Sequence, residues 1–182
     1  MSYDFKLFKR CAGEHPQVTA QRDAVELCAT PLDPQKESLK RRVADALMAH
    51  NPQLKVFQFG YEEIARFEKI SIDEARLKYR HLELNGPEGG SGIQIMLFDD
   101  EASLTVPFWH EEPLGIFRET ARCLEIISRE AGYLVFDPQI ERVVDPSAGL
   151  DDSIASYSAV MDRIQEKFPT GKTKPRPWWK FW

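Results

Sequence analysis

At 182 residues, with 42% hydrophobic and 29% charged side chains, the chain has the make-up of a soluble globular protein with one well-buried core. A net charge of −5 argues against the basic footprint that phosphate-backbone binding requires, so no nucleic-acid partner is expected. No run approaches the ~20 apolar residues of a membrane span, and the charged start Met1–Arg10 lacks the apolar run of a signal peptide.

The three cysteines, Cys11, Cys28 and Cys123, are odd in number and widely spaced, with no CxxC pair. That is the pattern of reduced thiols in a cytoplasmic protein, not of a disulfide framework or a zinc site. Neither a cofactor nor a metal is expected.

In chain order, Tyr3–Lys9 alternates apolar and polar residues and reads as a first strand. Helices are expected over Gln17–Ala29 and Pro34–His50, the second opened by Asp33 as N-cap and carrying Leu39, Val43 and Leu47 on one stripe. Asn51-Pro52 ends it. Leu54–Phe59 reads as a strand. After Gly60 a polar helical region offers Ile64, Phe67, Ile70 and Ala75 to the core, with Ser71 and Glu74 spaced as a capping box.

From Lys78 the period changes to two, and Tyr79–Leu84, Gly92–Phe98 and Ala102–Phe108 form an expected antiparallel meander joined by turn-rich links. Leu114–Ala131 is the clearest helix, with Phe117, Ala121, Leu124 and Ile127 on its apolar stripe and Gly132 as its stop. Tyr133–Phe136 and Ile140–Val144 read as short strands and Asp151–Phe168 as a last helix. The fold class that follows is α+β: a mainly antiparallel sheet with helices packed on one face, over residues 1–168 as a single domain. Residues 169–182 form a basic, tryptophan-rich tail.

Two places could carry chemistry. On the meander, Leu82, Leu84, Ile93, Ile95, Leu97, Ala102, Leu104 and Val106 are expected to face the helices. Tyr79, His81, Glu83, Gln94, Ser103 and Thr105 would then lie on the opposite face, where an aromatic ring, an imidazole and a carboxylate could meet a polar ligand or move protons. Alternation alone also produces a merely solvated face. The second place is Pro107–Pro113, where Trp109 and His110 precede Glu111 and Glu112 on the way into a helix.

No catalytic signature is found. The glycine-rich Gly86–Gly92 joins two strands and is followed by no lysine, so it is not a phosphate loop. Asp99-Asp100-Glu101 reads as a hairpin tip, and no serine sits in a nucleophile-elbow context.

The tail is the most unusual feature. Trp178, Trp179, Phe181 and Trp182 crowd the last five residues, and exposed indoles are costly unless covered. The last eleven residues hold four of the 24 basic side chains and none of the 29 acidic ones, which leaves the first 171 at a net −9. Such a tail docks on its own domain, on a protein partner or at a lipid surface.

Met1–Asp4, Tyr79–Gly86, Gly92–Ile95 with Leu104–Trp109, and Gly132–Gln139 carry a resemblance to an uncharacterised family of small bacterial proteins, over about Asn51 to Val144. The resemblance implies an immunity or accessory partner of a polymorphic toxin, with no catalytic residue to carry over. The leading expectation is therefore a non-enzymatic cytoplasmic binding protein of immunity type, whose acidic body favours a basic protein partner. The alternatives are a small-molecule sensor or enzyme using Tyr79, His81, Glu83 and Gln94, joined by Trp109 and His110, and a peripheral membrane protein held by the aromatic tail.

Overall fold

The computed structural model describes residues 2–10, 13–20, 32–87, 92–110 and 113–167. Among them, β1 (Ser2–Phe8), β2 (Lys55–Val56), β3 (Leu82–Asn85), β4 (Gln94–Leu97), β5 (Glu101–Pro107), β6 (Leu134–Asp137) and β7 (Arg142–Val144) form one sheet in the order β2-β3-β4-β5-β1-β6-β7. Every pairing is antiparallel. The helices are α1 (Pro16–Ala20), α2 (Pro34–His50), α3 (Tyr61–Glu68), α4 (Ile72–Lys78), α5 (Pro113–Ala131) and α6 (Asp151–Lys167). The protein is α+β, as its pattern predicts.

The expected boundaries and caps are found for the long helices. Asp33 accepts a hydrogen bond from the Gln35 N–H at 2.8 Å, Pro34 occupies the first turn of α2, and Val43 and Leu47 are buried. Ser71 and Glu74 form the reciprocal capping box of α4. Gly132 follows α5 at φ +69°, a conformation that a side chain would resist.

Pleating separates the two faces of the sheet. Tyr3, Phe5, Leu7, Leu84, Ile95, Leu97, Ala102, Leu104, Val106 and Val135 form one core with Val43 and Leu47 of α2, Phe117, Leu124 and Ile127 of α5, and Tyr157 of α6. The three long helices thus cover one face. On the other, α1 brings Ala20 against Phe8 and Phe136, and Lys6 Nζ donates to the Ala20 carbonyl at 2.6 Å. This second, smaller cluster lies only over β1 and β6.

Three sequence expectations need correction. The strand over Leu54–Phe59 contracts to Lys55–Val56: Leu54 turns into the core, and Phe57 keeps a backbone bond to the Glu83 carbonyl at 2.8 Å. The strand starting at Tyr79 begins instead at Leu82, because α4 runs on through Lys78 and the Tyr79 N–H caps the Ala75 carbonyl. Phe67, expected in the core, is 83% exposed. Ala65 is the buried residue of α3, and two positions further on lies about 200° around the helix. The start of the helix expected over Gln17–Ala29 is found as Pro16–Ala20, and the rest of that expectation lies outside the described residues.

One buried carboxylate ties three elements together. Asp137, with no exposed surface, accepts hydrogen bonds from the Tyr3 hydroxyl at 2.7 Å, the Ser153 hydroxyl at 2.6 Å and the Gln139 N–H at 2.9 Å. Burial, followed by the bond to Asp137, pushes the Tyr3 phenol far above its usual range, so it stays a donor. Replacing Asp137 by alanine orphans two buried hydroxyls, at a cost on the order of 3 kcal/mol. Tyr3→Phe, which leaves the other donors in place, is expected to cost about 1 kcal/mol. Urea unfolding of both variants checks the order; equal costs would mean that Asp137 does not organise the cluster.

Candidate functional site

On the open face, register decides which predicted residues meet. Asn85 pairs with Gln94 and Gln94 with Thr105, while Glu83 pairs with Met96 and Met96 with Ser103. Glu83, only 9% exposed, accepts from the Asn85 amide at 2.7 Å and from the Gln94 amide at 2.8 Å on one carboxylate oxygen. The other oxygen lies 3.9 Å from His81 Nε2, near enough for charge attraction and too far for a hydrogen bond. Thr105 donates to Asp4 at 2.8 Å on the neighbouring rung.

His81 precedes β3 and stands among rings. Its imidazole lies 4.9 Å from Phe59, 5.1 Å from Phe98 and 6.3 Å from Tyr79, centroid to centroid. Phe59 in turn meets Phe57 edge-on at 5.0 Å and tilts against Tyr61 and Tyr79. Tyr79, at the end of α4, donates its hydroxyl to Glu68 and thereby serves α3, not the Glu83 cluster. That bond, then burial, raises the Tyr79 phenol above its usual range.

His81, Glu83 and Gln94 are thus assembled as the alternation suggests, with Tyr79 only bordering them. Trp109 and His110 do not join them. His81 lies beside the Leu82–Leu97–Ala102 end of the meander, whereas Trp109 follows Pro107 at the other end of β5. Seven strand residues separate these levels, a distance of roughly 20 Å. The Trp109 ring instead packs over Gly92, where an added Cβ would meet it at 2.2 Å, and the His110 N–H donates to the Tyr157 hydroxyl at 3.3 Å. Glu111, Glu112 and the tail residues Trp178, Trp179, Phe181 and Trp182 lie outside the described residues.

Sequence reasoning missed Asn85, although it lies two residues from Glu83 on the same strand face. It also missed Phe59 and Phe98, whose distance along the chain hides their contact with His81. A buried ionic knot was missed as well: Lys40 Nζ lies 3.1 Å from Asp99, 2.6 Å from Glu37 and 3.1 Å from the Arg80 carbonyl, and the Arg80 guanidinium pairs with Asp99. The signal was there: Lys36 and Lys40 lie one turn apart on α2, and Asp100 and Asp99 each take one of them. This knot positions Arg80, next to His81.

Burial alone would raise the Glu83 carboxyl. The His81 imidazole and the amide bonds from Asn85 and Gln94 outweigh it and hold the group below the usual carboxylate range. A carboxylate so stabilised is a weak base at neutral pH, better suited to accepting donors than to moving protons. Among the described residues, no group of three or more His, Cys, Asp or Glu side chains could hold a metal ion.

Because folding depresses the Glu83 pKa, its charged form stabilises the fold above the unfolded-state value, and that contribution disappears as pH falls through the lower folded value. The stability gap between wild type and Glu83→Gln is therefore constant near neutrality and narrows in acid; a gap that widens in acid would reverse the assignment. Gly92→Ala, at φ +61° under the Trp109 ring, is expected to destabilise by on the order of 2–3 kcal/mol in urea unfolding, and an unchanged midpoint would remove the close packing. No family model, curated protein or solved structure matches the chain.

Proposed function

We propose that the protein is a non-enzymatic binding protein that engages a protein partner at the β2–α3–α4 end of its sheet. The observation that carries this reading is where the exposed apolar side chains fall. Five of the nine large ones described, Val56, Phe57, Phe67, Ile72 and Leu77, lie in this one stretch. Burying a phenylalanine such as Phe67 contributes about 2 kcal/mol, so a partner that covers it gains affinity at little structural cost to this chain.

The site chemistry supports binding over catalysis. Glu83 is held in its charged, hydrogen-bonded form, Tyr79 is committed to Glu68, and His110 is remote from both. The net −9 of the first 171 residues favours a basic partner and speeds its approach. An immunity-type factor fits these properties: it neutralises by covering a basic surface and needs no chemistry of its own. In that case the partner is toxic when produced alone.

A photo-crosslinking residue placed at position 67 tests the surface in cells, with the same residue at position 143 on the opposite edge strand as control. One discrete adduct at 67, absent at 143 and lost when Phe57→Asp is added, is expected. No adduct at 67, or the same adduct from both positions, would sink the proposal.

A further inference from the structure

The open face of β3, β4 and β5 meets the α3–α4 segment at its His81–Phe98 end, where Phe59 and Tyr79 pack, and not over Gln94, Ser103 and Thr105. Helices α2, α5 and α6 cover the opposite face, and the contacts of α1 fall at β1 and β6. Yet Glu83, Gln94, Met96, Ser103 and Thr105 are all buried or half-buried. In the middle, the Ser103 hydroxyl is shut off from water with no hydrogen-bond partner among the described residues. A buried hydroxyl without a partner is uncommon, so Ser103 marks a place on this face where a further hydrogen-bonding group fits.

We propose that this face is the docking surface of the chain's own basic, tryptophan-rich ending, Lys172–Trp182. The inference concerns a surface other than the partner-binding end and does not depend on that reading.

Reach permits it. Fifteen residues follow Lys167, an extended span of up to about 50 Å, whereas the six spacings of the seven-stranded sheet measure roughly 29 Å.

Charge complements it. On the open face of β1, β3, β4 and β5 the register places Asp4, Glu83 and Glu101 against one base, Lys6, which already serves the Ala20 carbonyl. Lys55 adds a second base only at the outer strand. The ending carries Lys172, Lys174, Arg176 and Lys180 and no acid.

The chemistry of the rings also fits. Met96 provides a soft apolar floor for indoles, and Phe98, two residues further along the same side, adds a ring at its border. Indoles left in water would forfeit that burial.

The test uses the purified full chain with no partner present. Acrylamide quenching of the tail tryptophans is obtained by subtracting a chain ending at Thr170, which keeps only Trp109. Quenching several-fold weaker than in a synthetic 170–182 peptide, independent of protein concentration and relieved by high salt, is expected. Met96→Lys and Ser103→Lys, each verified as folded by circular dichroism, should raise it towards the peptide's value. A photo-crosslinker at position 96 of the full chain gives a readout that needs neither truncation nor lysine: an adduct within the monomer, mapped to residues 172–182. Tail tryptophans quenched like the free peptide, protection that appears only with increasing protein concentration or with added anionic vesicles, or crosslinks mapped elsewhere would each overturn the proposal.

Discussion

The structure hangs on the insertion of the first strand into the middle of the sheet. β1 pairs over its whole length with β5 on one side, Ser2 against Pro107 through Phe8 against Glu101, and with β6 on the other. That register brings Tyr3, Phe5 and Leu7 beneath α5 and α6, all without exposed surface, and turns Asp4, Lys6 and Phe8 to the opposite side. A slip of one residue would exchange the two sets and place charges in the core, so the pleat makes the register stringent. Because the partners of β1 lie about a hundred residues away, both halves of the chain must be in place before this strand is secured.

Two buried polar clusters fix what apolar packing leaves adjustable. Asp137 gathers Tyr3, Ser153 and the turn after β6, which sets how α6 enters the fold. Asp99 gathers Lys40 and Arg80, which sets how the β4–β5 hairpin meets α2 and the segment before β3. Charges this deep gain little net stability over apolar substitutes, but each leaves its neighbours badly unsatisfied if the geometry changes. They act as locks on arrangement. The Asp99 lock bears directly on the open face, since Arg80 adjoins His81 and Phe98 precedes Asp99.

The open face combines a charged carboxylate held by amides, an imidazole among rings and a floor of small and soft side chains. Its groups are hydrogen-bond acceptors, aromatic rings and apolar side chains. Glu83 is held in its charged form, which makes it a poor proton carrier at neutral pH. The chemistry of recognition and the exposed apolar end at β2–α3–α4 occupy neighbouring parts of one sheet. Residues Phe57 and Phe59 link them.

Local rules made much of this legible from the residues alone. The period of Val43 and Leu47, the Asp33 cap, the Ser71–Glu74 box and Gly132 are nearest-neighbour effects, and α2, α4 and α5 begin or end where those rules place them. Alternation also assigned Glu83, Gln94, Ser103 and Thr105 to one face, since the strand period is a property of the backbone itself. What alternation could not supply was the end of α4, where helical hydrogen bonding carried Tyr79 off the strand, or the side on which Phe67 would lie. Strand order, the joining of Phe59 and Phe98 to His81, the separation of His110 from that cluster and the Lys40–Arg80–Asp99 knot belong to tertiary structure. Each depends on residues far apart in the chain meeting at one place, and such contacts are chosen by the burial of the whole sheet, to which no local stretch of sequence has access.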